Sequence, residues 1–206
     1  MGALQGSISY ARFYVDGDLP DNFRDVFTTA VQEGAFQPLL AEEEAEESRG
    51  WVNIEHPLDW DFDHHKLFFN EYLNVALRID KWRIPGNLLR AQCVEAERMW
   101  MLKQGKERIG RREKNDIKAI VTSELKQKLL PAMKTIDVSW NVNTGVVRFW
   151  NQSARACEEF MDFFEDTFRL RLVPDNPYLG ALQYGLDDDQ TERLAGLEPT
   201  HFHTEA

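Results

Sequence analysis

Two groups of residues have types and spacings that could support chemistry. The first is the run from Asp59 to His65, in which three carboxylates alternate with Trp60 and Phe62. In an extended backbone alternate side chains share one side, so Asp59, Asp61 and Asp63 would converge there. Convergent carboxylates suit hard cations and His64 or His65 a transition metal, as in a metal-dependent nuclease. An ordinary edge strand or loop has the same polar and aromatic faces, and we favour that interpretation, with no metal and no cofactor.

The second group is basic. Residues 83–134 hold 13 Lys or Arg against 6 Asp or Glu, whereas the whole chain has 24 against 35 and a net charge of −11. The rest of the chain therefore carries a net charge of −18. A protein that concentrates its positive charge in one segment is expected to use that segment to meet an anionic partner, although a merely solvated pair of helices has a similar composition.

Other chemical signatures are missing from the sequence. It contains no nucleophile elbow, phosphate loop, dinucleotide fingerprint or zinc spacing, so we expect no enzymatic activity. Cys93 and Cys157 fall in predicted helices without metal-type spacing, which favours a reducing cytoplasm over a secreted scaffold. The sequence contains no run of about 18 apolar residues, so we predict no membrane-spanning helix.

Hydrophobic periodicity predicts the elements that position the two groups. Before the basic segment, apolar spacing and turn residues predict strands at 7–15 and 51–54, a helix from about Pro20 to Gly34, and one or two strands in 66–82. The acidic run 41–49 is expected to be an exposed loop or a helical turn.

The basic segment itself is predicted to form a helical hairpin, called here the arm (residues 84–134). Its first helix opens at Pro85 with Asn87 as the N-cap, and its second ends near Pro131. A basic hinge, residues 105–112, joins them. Apolar residues mark one face of the second helix, and four lysines are expected on its wet face: Lys114, Lys118, Lys126 and Lys128.

The last third predicts a β-hairpin with strands 136–142 and 146–150, a helix capped by Ser153, and a strand at 170–174. The predicted fold class is α+β, with two β-α-β-like lobes, an antiparallel sheet and a protruding basic helical hairpin. The predicted units are an N-terminal α+β lobe, the arm, a β-hairpin-α-β lobe and a flexible acidic tail: 1–83, 84–134, 135–176 and 177–206.

The six tryptophans are expected in the core or at interfaces rather than as a base-stacking platform. Trp100 is a further candidate, because with Met99, Met101 and Met133 it could form a dimer contact.

Several short motifs, taken in order, resemble the bacterial recombination-associated protein RdgC family. They are Gly34-Ala35-Phe36-Gln37-Pro38, Gly50-Trp51-Val52, Ile84-Pro85 opening a basic helix, Leu129-Leu130-Pro131, the hairpin from Ile136-Asp137 to Gly145-Val146-Val147, and Leu172-Val173-Pro174. The similarity spans about residues 7–174 and would make the chain a shortened, acidic relative.

The resemblance implies a non-enzymatic, sequence-independent binder of double-stranded DNA that modulates recombination. It also implies a homodimer that forms a closed ring with a positively charged hole, a nucleoid-associated cytoplasmic location and a recombination protein as a possible partner. The arm would then contact phosphates through seven residues: Lys103, Lys106, Arg108, Arg111, Arg112, Lys114 and Lys118. The alternative is an acidic, dimeric protein–protein interaction module or inhibitor that does not bind DNA.

Overall fold

A computed structural model describes residues 2–4, 9–41, 45–182 and 185–197. The helices in this part of the chain are α1 Phe23–Glu33, α2 His64–Leu67, α3 Gly86–Gln104, α4 Arg111–Lys128, α5 Ala154–Phe168, α6 Pro177–Leu182 and α7 Asp188–Ala195. The strands are β1 Ala11–Asp16, β2 Glu47–Val52, β3 Phe68–Phe69, β4 Tyr72–Lys81, β5 Ala132–Asn141, β6 Val146–Phe149 and β7 Arg171–Pro174. None of the described helices is both long and apolar enough to cross a membrane.

The strands form a single antiparallel sheet in the order β2-β4-β5-β6-β1-β7, with β3 paired to β4. The predicted α+β class with an antiparallel sheet is confirmed. β6 and β7 both lie antiparallel to β1 and so run parallel to each other, which makes β6-α5-β7 a β-α-β unit. β1-α1-β2 is a second such unit, because four antiparallel steps separate its strands. The segments predicted as two lobes share this one sheet, since β1 lies between β6 and β7.

One face of the sheet carries the main core. Alternate residues of the strands face this core, among them Phe13, Trp51 and Trp140. Phenylalanines of α1 and α5 cover them. Both tryptophans are fully buried, and the Trp51 indole N–H donates to the Thr167 hydroxyl at 3.0 Å. Burying each such aromatic side chain stabilises the fold by a few kcal/mol, of the order of 1.5–3 for a large apolar side chain. The prediction that these tryptophans are core residues is confirmed.

The other face of the sheet is covered near β2 and β4 by Phe36 and Trp60. Arg78 packs against both rings and forms a bidentate ion pair with the buried Asp80, at 2.9 and 2.6 Å. Its guanidinium lies 4.1 Å from the centre of the Phe36 ring. Gly50 permits this packing, because a Cβ there would lie 2.3 Å from the Phe36 Cα and 2.5 Å from its backbone nitrogen.

Most predicted elements are found, with corrections at their ends. The N-cap position of α3 is Pro85, so the prediction that Asn87 caps this helix was wrong. Ser153 does precede α5, although its hydroxyl makes no capping hydrogen bond. β1 begins at Ala11, and residues 7 and 8 of that predicted strand lie outside the described residues.

Two acidic segments are more ordered than their composition suggested. Residues 47–49 belong to β2 rather than to a loop, because pairing with β4 places Glu47 3.2 Å from Lys81. The predicted acidic tail contains α6 and α7, and Asp187 caps α7 by accepting from the Gln190 backbone N–H at 2.8 Å. Acidic residues at a helix N-terminus stabilise it. Residues 198–206 of that tail lie outside the described residues.

Candidate nucleic-acid interface

The arm replaces the turn of a long β-hairpin. β4 and β5 are ten residues each and pair along their whole length, ending with Lys81 opposite Ala132. Directly paired residues of antiparallel strands have Cα atoms about 5 Å apart. The helical hairpin therefore stands on two adjacent chain segments, and the last three residues of the arm, 132–134, extend β5.

The two helices of the arm share a small core of their own. Ile117, Val121 and Leu125 of α4 are buried against residues of α3 that include Cys93 and Trp100. α3 has no fully buried residue. Because this apolar cluster is separate from the main core, the arm is held together by its own packing. Trp100 lies in that packing, at the partly buried edge of the cluster.

Glycines delimit the tip of the arm. Gly105 ends α3 in the left-handed region with φ 61°, and its backbone N–H donates to the Leu102 carbonyl. Gly110 occupies the N-cap position of α4 in an extended conformation. The predicted hinge is therefore where the chain reverses, and it brings the basic residues of both helix ends to the same place.

All seven side chains predicted to contact phosphates are exposed. Lys106 lies 3.8 Å from Glu113, and Lys114 lies 3.3 Å from Glu97. Within the described part of the chain the other five make no ion pair: Lys103, Arg108, Arg111, Arg112 and Lys118. Five exposed and unneutralised cations near one end of a helical hairpin form a surface suited to phosphate groups.

The tip of the arm, residues 103–114, differs in charge from the rest of the chain. It contains six basic and two acidic side chains. At physiological ionic strength surface charges are screened beyond about 8 Å. The positive tip therefore acts on a nearby anion largely independently of the net −15 carried by the residues outside 103–114.

Lys126 does not belong to this surface. The sequence placed it on the wet face of α4, but it is 7% exposed at the root of the arm. Its ammonium lies 2.8 Å from Glu46 and 5.9 Å from the centre of the Trp82 ring. The prediction was wrong because helical periodicity cannot reveal that the last turn of α4 meets Glu46, which precedes β2, and Trp82, which follows β4. Lys126 instead fixes the arm to the sheet.

The Asp59–His65 run has a structural role. Asp59 accepts from Lys66 at 2.9 Å and from the Asp61 backbone N–H at 3.0 Å, so these bonds lower the pKa of its carboxyl group. Asp63 caps α2 by accepting from the Lys66 backbone N–H, which lowers its pKa as well. Among the described residues no group of three potential metal ligands is present.

His64 points away from those aspartates. Its Nε2 lies 3.1 Å from Asp25, and its Nδ1 lies 3.3 Å from the Thr28 hydroxyl, so it joins α2 to α1. The predicted convergence of three carboxylates with His64 is therefore not found. α2 begins directly after Asp63, so the chain turns there and His64 lies beside Asp25 and Thr28 of α1.

No family model and no curated protein sequence matches the chain significantly.

Proposed function

We propose that the chain is a non-enzymatic, sequence-independent binder of double-stranded DNA that modulates recombination, acting as a homodimer in the nucleoid. The observation that carries the proposal is the set of five exposed, unpaired cations near the tip of the arm. Phosphate contact requires positive charge and reach but no base-reading geometry. The resemblance to the RdgC family adds the role in recombination and the dimer.

The seven residues Lys103, Lys106, Arg108, Arg111, Arg112, Lys114 and Lys118 form the proposed contact surface. Flexible lysines and planar arginines on such a surface satisfy phosphate oxygens in many registers along a duplex, so binding is independent of sequence. Lys106 and Lys114 contribute less, because Glu113 and Glu97 partly neutralise them.

The test is binding of a labelled duplex over a salt series by the native chain and by a variant with a reversed arm. That variant carries Arg108→Glu, Arg111→Glu, Arg112→Glu and Lys114→Glu, all at exposed positions. We expect salt-sensitive binding by the native chain and none by the variant. Absence of binding by the native chain at low salt would refute the proposal.

A second candidate function is a dimeric protein–protein interaction module. It is favoured by exposed apolar side chains on α3: Val94 is 62%, Met99 54% and Leu102 67% exposed. Apolar side chains of this size on one helix are typical of a protein contact. The affinity of such a module for its partner depends weakly on salt, whereas the affinity for phosphates falls steeply as the salt concentration rises. Sedimentation of the native chain and of a Val94→Ser, Leu102→Ser variant would test the dimer separately from DNA binding.

A further inference from the structure

A small cavity lies on the helix-covered side of the sheet, below the arm. Its volume is about 200 Å³ and its wall comes from β2, β4, β5 and the first turns of α5. Three of the lining side chains are cationic, Arg49, Lys134 and Arg155, and one is a carboxylate, Glu159. The cavity therefore carries a net positive charge on a body that is otherwise strongly acidic.

Strand register brings two of these cations together. Arg49 of β2 pairs with Ile79 of β4, and Ile79 pairs with Lys134 of β5. The three residues form one row across the sheet, so Arg49 and Lys134 stand on the same face about 10 Å apart at the backbone, with an apolar side chain between them. Leu77 and Ile136, one step further along that face, complete an apolar floor.

The cations retain donors for a ligand. Arg49 gives one guanidinium nitrogen to Glu47 at 2.7 Å, and Arg155 gives its Nε to Glu159 at 2.8 Å. An arginine has five N–H donors, so each keeps others. Lys134 is exposed and makes no ion pair within the described part of the chain.

The start of α5 adds to this field. Its first turn contains no acidic residue, and the Ser153 hydroxyl does not cap it. First-turn N–H groups have no intrahelical partner, and the positive end of the helix dipole favours an anion. Here the helix end reinforces a cavity already defined by three cationic side chains.

We infer that this cavity binds one phosphate oxyanion through Arg49, Lys134 and Arg155. Its volume is below the range of about 300–1,000 Å³ typical of whole-ligand pockets, so it suits a single anionic group better than an entire nucleotide. The group is either a free phosphate or a backbone phosphate of DNA held next to the arm. The inference does not depend on DNA binding by the arm.

The experiment titrates the full-length chain with inorganic phosphate, followed by calorimetry and by ³¹P line width. Lys134→Gln and Arg155→Gln are the test variants. Arg155 is 86% exposed and Lys134 is exposed, so both variants are expected to fold. Lys128→Gln is the matched control, because Lys128 is also exposed and lies outside the cavity.

We expect saturable phosphate binding, weakened about tenfold by each test variant because each removes a charge-assisted hydrogen bond. Lys128→Gln is expected to bind as the native chain does. The inference is overturned if the native chain shows no saturable binding, or if the control weakens binding as much as the test variants do.

A duplex arm of the same experiment identifies the source of the phosphate. If Lys134→Gln weakens both phosphate and duplex binding, the cavity holds a backbone phosphate. If only phosphate binding weakens, the ligand is a free phosphate. If the native chain binds phosphate but no duplex, the proposed function fails while the inference stands.

Discussion

Replacement of Arg108, Arg111 and Arg112 by glutamine removes three of the five unpaired cations of the arm while preserving side-chain length. Each phosphate neutralised by a protein cation contributes about −0.9 to the slope of log K against log salt. Five contacts give a slope of about −4.5 for the native chain, and two remaining contacts give about −1.8.

These slopes translate into clear changes of affinity. Between about 50 and 200 mM salt the native chain should lose about 500-fold in affinity for duplex DNA, whereas the triple variant should lose only about tenfold. Fluorescence anisotropy of a labelled duplex at several salt concentrations measures the affinities of the native chain and of the triple variant. The sequence of the duplex should not matter, because phosphate contacts carry no base information.

A matched control removes the same charge elsewhere. Arg169, Arg171 and Arg193 are exposed and lie outside the arm, so their triple replacement by glutamine should leave the slope near −4.5, to within about one contact. Equal slopes for the native chain and the arm variant would refute the assignment of phosphate contacts to the tip. A control that lowers the slope as much as the arm variant would show that binding depends on net charge alone.

Three further predictions concern stability, measured by urea unfolding. Gly50→Ala should cost about 2 kcal/mol, because its Cβ would overlap backbone atoms of Phe36; an unchanged midpoint would contradict this packing. Burial raises the pKa of Asp137, so its folded state holds a proton above the unfolded pKa of 3.8 and stability falls as pH rises through that window. Asp137→Asn should therefore raise the free energy of unfolding at pH 7 relative to pH 3. A lower free energy of unfolding at pH 7 would contradict this prediction. The hydrogen bond from the Lys66 backbone N–H lowers the pKa of Asp63, so its contribution to stability is present above pH 3.8 and is lost as pH falls below it. Asp63→Asn should therefore lower stability at pH 7 and have little effect at the acid end, whereas equal losses at both would count against the cap.

Local patterns in the sequence were sufficient for most of the elements. The alternation of Val138 and Trp140 predicted β5. The spacing of apolar residues predicted the buried face of α4, and Ile117, Val121 and Leu125 are buried as expected, whereas Ile120, assigned to the same face, is 59% exposed. Such patterns are readable because side-chain direction within a strand or helix depends only on the local backbone period. The arm was likewise found from charge and periodicity, whereas its seven candidate contact residues followed from the resemblance to the RdgC family.

Contacts between distant segments decided the rest. The insertion of β1 between β6 and β7, the burial of Lys126 against Glu46, and the pairing of Lys114 with Glu97 leave no trace in a local period. Competition between helix capping and metal ligation at Asp63 is similar, because a carboxylate is satisfied by whichever donor the folded chain brings to it.

The sequence by itself determined the fold class of the protein and the position of its positive charge, because composition and periodicity are properties of contiguous residues. Only the tertiary structure decided which cations remain unpaired and which converge. Arg49, Lys134 and Arg155 come from three separate elements, and strand register together with the placement of α5 brings them around one cavity. Long-range register follows from the packing of the whole core, so no single stretch of the chain encodes it.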